Sequence, residues 1–222
     1  MTPEEIKNAN LSEYQIREYA RSNSDDNRKA IAGHPNLPDN LVRTLAKDRY
    51  EYVRQAVAKR KDLPEDVVRI LVKDESEVVR QAIAERPDLP DNIIRTLATD
   101  KEKWVRKTIA EREDLPEGLI RTLATDKHED VRRAIAERPN LPEDVIRTLA
   151  TDEHKDVRFA IAKHEDLPKD YRALAADENE YVRYNIANYK DLPEDVVRTL
   201  ATDESEVVRK AIAKREDLPE DL

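Results

Sequence analysis

Cysteine is absent from this chain of 222 residues, and glycine occurs only twice. Without cysteine the chain cannot form disulfides, thiolate metal sites, iron–sulfur clusters or a cysteine nucleophile. Two glycines are too few for the glycine-rich loops that hold phosphate groups. No run of about 18 apolar residues is present, so we expect no membrane-spanning helix and no membrane partner.

The charge and the start of the chain narrow the class of protein further. Asp and Glu total 49 and Lys and Arg total 40, which gives a formal net charge of −9. This balance argues against an evenly basic coat for nucleic acid. The segment 1–7 lacks the basic-then-apolar pattern of a signal peptide, so we expect a cytoplasmic protein. No Ser–His–Asp set stands out, and we predict neither an enzymatic activity nor a cofactor.

The phrase Leu-Pro-Glu-Asp recurs along the chain with small changes and at a nearly constant interval. Its leucines are 26 residues apart, with one interval of 25, at Leu37, Leu63, Leu89, Leu115, Leu141, Leu167, Leu192 and Leu218. A weaker copy begins at Leu11. Such internal repetition is typical of solenoid proteins. We predict one domain with an N-terminal cap over 1–10, eight repeats over 11–217 and a truncated ninth repeat over 218–222.

Each repeat carries the signals of two short helices. The segments Asp62-Leu63-Pro64-Glu65 and Asp74-Glu75-Ser76-Glu77 both have the spacing of a capping box, and the first has proline in its opening turn. Leu63, Val67 and Leu71 fall on one helical face. Helices of about ten residues are unstable alone, but stacked repeats bury each other's apolar faces. The pattern therefore predicts an all-α solenoid.

The residues from Leu141 to Ala162 carry a family resemblance. They follow the pattern Leu-Pro-x-x-x-x-Arg-x-Leu-Ala-x-Asp and then Val-Arg-x-Ala-Ile-Ala, which resembles the repeats of the leucine-rich repeat variant family. The resemblance covers nearly the whole chain and implies a right-handed superhelix of alternating α and 3₁₀ helices with an interaction role. The repeat here is longer than the usual family unit. Both segments are thus candidates for α-helix, as in a compact HEAT repeat, and the family's cysteine-bound iron–sulfur cluster cannot transfer.

Arginine recurs at two positions of every repeat, counted from the repeat leucine. Position 7 is arginine at Arg17, Arg43, Arg69, Arg95, Arg121, Arg147, Arg172 and Arg198. Bare arginines about 10 Å apart would repel by roughly 1–2 kcal/mol. We therefore predict that an interleaved aspartate ladder at position 12 neutralises the arginine rows. The predicted ladder residues are Arg28, Arg54, Arg80, Arg106, Arg132, Arg158, Arg183 and Arg209 at position 18, with Asp48, Asp74, Asp100, Asp126, Asp152, Asp177 and Asp203.

The repeats differ most at positions 14, 15, 16 and 19, where we expect a ligand surface. Repeat seven, 167–191, is one residue short at about position 6 and contains four of the eight tyrosines. Exposed aromatic side chains favour interfaces. The predicted partner-binding residues are Tyr181, Tyr184, Tyr189 and Phe159, with a second group of Tyr50, Tyr52 and Trp104. The alternative is that Tyr171 and the other large side chains of repeat seven fill space left by the deletion.

The four histidines and the two C-terminal leucines give further expectations. His128 and His154 share position 14 one repeat apart, which is too far for one zinc ion, so no metal site is predicted. We interpret His34 and His164 at position 24 as surface residues. Leu218 and Leu222 lack a covering repeat, which predicts either end-to-end or dimeric association or that the chain is a piece of a longer protein.

Three hypotheses about function follow from the sequence. The first is a non-enzymatic repeat scaffold that binds a protein or peptide partner on its variable face. The second is a nucleic-acid or polyanion binder that uses the arginine rows. The third is a consensus-like or designed array without an evolved partner, because Arg-Thr-Leu-Ala-Thr-Asp recurs almost unchanged in four repeats.

Overall fold

The computed structural model describes residues 1–164, 167, 172–219 and 222. Across these residues the regular elements are all α-helices and no β-strand occurs, which confirms the all-α prediction. Among the described helices, none has the length and apolar character needed to span a membrane. The chain divides into two compact units, unit 1 over Met1–Ile109 and unit 2 over Ala110–Leu222.

Both segments of a repeat are α-helical, so the 3₁₀ alternative does not apply to the described part of the chain. Unit 1 contains α1 (Pro3–Asn8), α2 (Glu13–Ala20), α3 (Asp25–Ala32), α4 (Asp39–Leu45), α5 (Glu51–Ala58), α6 (Glu65–Leu71), α7 (Glu77–Ala84), α8 (Asp91–Leu97) and the start of α9 (Lys103–Ala110). Unit 2 contains α10 (Glu117–Leu123), α11 (Glu129–Ala136), α12 (Glu143–Ala150), α13 (Lys155–Ile161), α14 (Arg172–Ala175), α15 (Glu180–Ala187), α16 (Glu194–Ala201) and α17 (Glu206–Ile212).

Each repeat pairs a first helix, even-numbered from α2 to α16, with a second helix, odd-numbered from α3 to α17. Within unit 1, α5 packs against both α3 and α7, and within unit 2, α13 packs against both α11 and α15. Val53 and Val57 of α5 are fully buried, which stabilises the stack by roughly 1.5–3 kcal/mol for each side chain. Ala58 and Ala136, both at position 22, are also fully buried and allow successive helices to approach closely.

Two expected capping boxes are wrong, because neither Asp62 nor Asp74 is the N-cap of the helix that follows it. α6 begins at Glu65 with Pro64 as its N-cap, in extended conformation and without a side-chain cap. α7 begins after Ser76, again without a side-chain cap. Asp62 instead accepts a hydrogen bond from Arg60 Nη2 at 2.9 Å, and Asp74 Oδ1 accepts one from the Ser76 backbone N–H at 2.9 Å.

The position-18 arginine links two neighbouring repeats. It binds a backbone carbonyl of its own repeat and the position-12 carboxylate of the next repeat. Arg80 Nε donates to Asp100 Oδ2 at 2.6 Å and Nη2 donates to Asp100 Oδ1 at 2.9 Å. Its Nη1 donates to the Asp74 carbonyl at 2.7 Å. The side chains of Arg80 and Asp100 are only 5% and 8% exposed. The same two-pronged pairing joins Arg28–Asp48, Arg54–Asp74, Arg132–Asp152, Arg158–Asp177 and Arg183–Asp203.

The position-7 arginines behave differently, because their helices expose them. Arg69 and Arg147 pair with a glutamate one turn earlier on the same helix. Arg43 reaches the next repeat and donates to Asp66 at 2.8 Å, but both side chains are about half exposed. Exposed pairs of this kind contribute little to stability, so the position-18 row carries the electrostatic link between repeats.

A further row of contacts, at position 24, has no counterpart in the sequence expectations. Arg60 Nη1 donates to the Ala32 and His34 carbonyls of the preceding repeat at 3.0 and 2.7 Å. Arg138 Nη1 donates to the Ala110 carbonyl at 2.9 Å. These bonds satisfy carbonyls at the C-terminal ends of second helices, which lack partners within the helix.

The prediction that His34 and His164 lie on the surface is wrong. His34 is 1% exposed, and its Nε2 donates to the Ala9 carbonyl at 3.0 Å. His164 is half-buried, and its Nε2 contacts the Ala136 carbonyl at 2.5 Å. Both histidines therefore occupy position 24 in the same way as the arginines, as donors to the repeat before them.

Parts of three sequence expectations lie outside the described residues. Tyr171 and the shortened position 6 of repeat seven fall within 168–171, and the predicted ninth repeat includes residues 220 and 221.

We expect Asp100→Asn to lower the free energy of unfolding by about 3 kcal/mol, because Arg80 would remain buried without its counter-charge. The matched control is Asp66→Asn, which removes an exposed carboxylate that also bridges two repeats. Solvent screens that pair, so the control should lose far less stability. Urea unfolding followed by circular dichroism measures both variants. Equal losses would contradict a special role for the buried pair.

The ladder aspartates should also make the fold sensitive to acid. Burial, the largest single influence on Asp100, opposes ionisation, but the hydrogen bonds from Arg80 and the Glu102 N–H outweigh it, so the pKa of Asp100 lies below its ordinary value. Asp48 and Asp203 have lowered pKa values for the same reasons. The stability that each contributes is present above the unfolded-state pKa of about 3.9 and is lost as the pH falls through the lower folded-state value.

We therefore expect the free energy of unfolding to fall steeply below about pH 4. Urea titrations at a series of pH values test this expectation. The Asp100→Asn variant should show a shallower acid dependence than the parent chain, and parallel curves for the two proteins would contradict the assignment.

Candidate functional site

The second helices leave one side open to solvent in each unit, and we call this side the second-helix face. It is formed by repeat positions 16, 19 and 23, with the largely buried position 20 lining its grooves, while the residues at positions 17 and 21 point into the core. In unit 1 it contains a groove of about 600 Å³ on α3 and α5, lined by Asp26, Lys29, Tyr52, Gln55 and Lys59 among others.

In unit 2 the second-helix face carries a groove with two adjoining sections. The section between α11 and α13 has a volume of about 650 Å³ and includes Arg133, Asp156 and Phe159. The section between α13 and α15 has a volume of about 660 Å³. Lys163 and His164 line both sections, so the two adjoin each other. The groove is shallow and mixed in charge, which suits an extended chain better than a compact small molecule.

Four of the seven predicted aromatic residues are well exposed on this face. Tyr52 is 54% exposed, Trp104 47%, Tyr181 60% and Tyr184 41%. Tyr181 and Tyr184 lie one turn apart on α15, so their rings form one patch rather than two isolated groups. Aromatic side chains of this kind are the usual anchors of protein interfaces.

The other three aromatic residues are partly occupied by contacts inside the fold. The hydroxyl of Tyr189 accepts a hydrogen bond from the Leu167 N–H at 3.0 Å, so position 24 is used for structure in this repeat too. Phe159 is half-buried, and Lys163 Nζ lies 4.1 Å from its ring centre. Tyr50 precedes α5 and lies outside the second-helix face; it is 41% exposed, as much as Tyr184, and the Arg28 guanidinium lies 5.4 Å from its ring centre.

Six guanidinium groups of the position-18 row, those of Arg28, Arg54, Arg80, Arg132, Arg158 and Arg183, are engaged by aspartates, whereas Arg209 is exposed and donates to the Asp203 and Glu204 carbonyls. In each of the aspartate pairs two guanidinium N–H groups donate to one aspartate carboxylate. The Arg54 and Arg132 side chains are each only 8% exposed. A phosphate would have to displace a pre-oriented carboxylate from a buried site. Phosphate-tracking surfaces instead need exposed cations whose counterions are released on binding.

One group of three potential metal ligands occurs in the described part of the chain. Ligand atoms of His128, Glu129 and Asp130 lie within 4.8 Å of one another. His128 Nδ1 accepts a hydrogen bond from the Asp130 N–H at 3.2 Å as the N-cap of α11. The imidazole nitrogen that faces the carboxylates is therefore already used by the helix.

The paired first and second helices define the class of protein, an α-solenoid built from helical repeats. Residues 129–154 match the family model described as "Leucine rich repeat variant". A solved structure described as a leucine-rich repeat variant with a novel repetitive protein structural motif is 27% identical, with a TM-score of 0.77 over 90% of this chain and 80% of that one. The resemblance to the leucine-rich repeat variant family is confirmed.

A second solved structure agrees in fold alone. The Escherichia coli protein YibA is 17% identical, with a TM-score of 0.50 over 95% of this chain and 94% of its own. No curated protein sequence matches this chain.

We expect the protein not to bind a single-stranded oligonucleotide or heparin at physiological salt, because six of the position-18 arginines are held by aspartates with little exposed side chain and so present no row of free cations. Fluorescence anisotropy with a labelled probe measures this at several salt concentrations. Binding that falls steeply as salt rises would contradict the expectation and favour the polyanion hypothesis.

Proposed function

We propose that this chain is a non-enzymatic repeat scaffold that binds a protein or peptide partner through the second-helix face. The observation that supports the proposal most strongly is the exposed aromatic pair Tyr181 and Tyr184 on α15. Burying one such ring at an interface removes a large apolar area from water at a low cost in side-chain entropy.

The rigidity of the backbone under this face also supports a binding role. The position-18 and position-24 contacts hold each second helix to its neighbour within a unit, so little ordering is needed when a partner binds. A surface that is already ordered loses less entropy on association. Positions 16 and 19 make none of these contacts and can vary without disturbing the stack.

The nucleic-acid alternative receives less support from the geometry. It relied on free arginine rows, and six of the position-18 guanidinium groups have carboxylate partners. The position-7 arginines are exposed, yet Arg43 and Arg121 are also held by aspartates of the next repeat, at 2.8 and 2.7 Å.

The test replaces Tyr181 and Tyr184 together with alanine. Linear peptides selected from a random display library against the parent chain should bind the double variant at least about tenfold more weakly, because interface aromatics dominate binding energy. Isothermal titration calorimetry measures the affinities, and thermal unfolding should change little because both rings are exposed.

Tyr14→Ala is the matched control. Tyr14 is 71% exposed but lies on α2, a first helix, outside the second-helix face. This variant should bind selected peptides as the parent does. Unchanged affinity in the double variant, or an equal loss in the control, would place binding on another surface.

A further inference from the structure

The groove section between α13 and α15 contains an asparagine at a position where six of the other repeats have alanine and one has threonine, Thr108. Asn185 stands at position 20, which is alanine in Ala30, Ala82, Ala134, Ala160 and Ala211, all at most 8% exposed. The substitution places a carboxamide in the wall of the groove.

The Asn185 side chain carries a buried donor that the described fold leaves unused. Its Nδ2 is buried and has no hydrogen-bond partner among the residues that the structure describes. Asn188 lines the same section, but its Nδ2 donates to the Tyr184 carbonyl at 2.8 Å. A buried donor without an acceptor destabilises a fold, whereas alanine at this position would not. Repeat stacking therefore gives no reason for asparagine here.

A ligand in the groove can supply the missing acceptor. Asn185 as a whole is half-buried, and the terminal torsion of asparagine is soft, so a small rotation turns its amide toward the groove. Peptide carbonyls are the acceptors that an extended chain offers at regular intervals, whatever its sequence.

The charges around Asn185 narrow the chemistry of such a peptide. Lys163 and Lys190 are exposed at this section, and among the lining residues that the structure describes Asp191 is the one carboxylate. A local excess of cations favours a carboxylate on the ligand. Acidic residues dominate unit 2 as a whole, with 29 Asp and Glu against 19 Lys and Arg. A strongly acidic peptide would be repelled at long range, so a single carboxylate is favoured.

We propose that this section binds an extended peptide, with Asn185 Nδ2 donating to a main-chain carbonyl and Lys163 and Lys190 holding one acidic side chain. The adjoining section places Phe159 next to Lys163, which favours an apolar residue beside the acidic one. This inference rests on the proposed function and adds the partner class and the residue that binds its backbone.

The experiment uses the full chain and a random linear peptide display library. Selected peptides should carry one Asp or Glu beside an apolar residue. Calorimetry with a synthetic selected peptide should show affinity about five- to tenfold weaker for Asn185→Ala, the loss expected for one hydrogen bond. The same variant should melt at an equal or higher temperature than the parent, because it removes the unpaired donor.

Asn188→Ala is the matched control in the same helix and groove section. It removes an amide that is already satisfied, so it should keep the peptide affinity while losing some stability. Asn185→Asp offers a second variant of nearly the same shape; its carboxylate cannot donate, so it should bind the peptide more weakly than the parent.

The charge assignment has its own test. Replacing Lys163 and Lys190 with methionine should lower the affinity for the acidic peptide. It should leave the affinity for the neutral Glu→Gln or Asp→Asn analogue of that peptide unchanged. Equal affinity for the parent and Asn185→Ala, or a marked loss of stability in Asn185→Ala, would overturn the inference. If such peptides still require Tyr181 and Tyr184, the proposed function stands; if the library yields no binder, both fail.

Discussion

The buried ion pair between a position-18 arginine and the position-12 aspartate of the next repeat is the contact on which the structure depends. In Arg54 and Asp74 the guanidinium spans a carboxylate on one side and the Asp48 carbonyl on the other, at 2.7 Å for each of these bonds. The ion pair and the hydrogen bond to the carbonyl together compensate for the cost of removing the guanidinium and the carboxylate from water. Each aspartate also accepts a hydrogen bond from the backbone N–H two residues later in its own loop, as Asp74 does from Ser76. The carboxylate is therefore oriented by its own repeat as well as by the neighbour's arginine.

Apolar contacts and ion pairs occupy different positions of the repeat, which explains how a chain with 40% charged residues forms an apolar core. Small residues such as Ala58 bring the second helices close, and the ion pairs and the position-24 donors tie their ends. The second-helix face takes no part in those contacts. It is therefore the surface on which side chains such as Trp104 and Tyr181 can differ between repeats at little cost to folding.

Sequence reasoning reached the helical repeats because recurrence every 26 residues is strong and the apolar spacing is helical. It also had enough information to set arginines against aspartates in neighbouring repeats. It missed the helix starts, since the fixed geometry of Pro64 shifts α6 toward the C-terminus. The position-24 row was missed because its acceptors are backbone carbonyls, which leave no trace in side-chain identity. Asn185 could be seen as a deviation from alanine, but its unpaired amide could not.

The position-24 contacts do not require a particular residue type at the accepting position. Arg60, His34 and Arg215 all reach main-chain oxygen, which every residue type provides. The ion pair likewise uses the same two groups at six boundaries within the units, from Arg28–Asp48 to Arg183–Asp203. A module could thus be duplicated, removed or exchanged within a unit without redesigning its neighbours, and the length of the array could change in whole steps while the rules of assembly stayed the same.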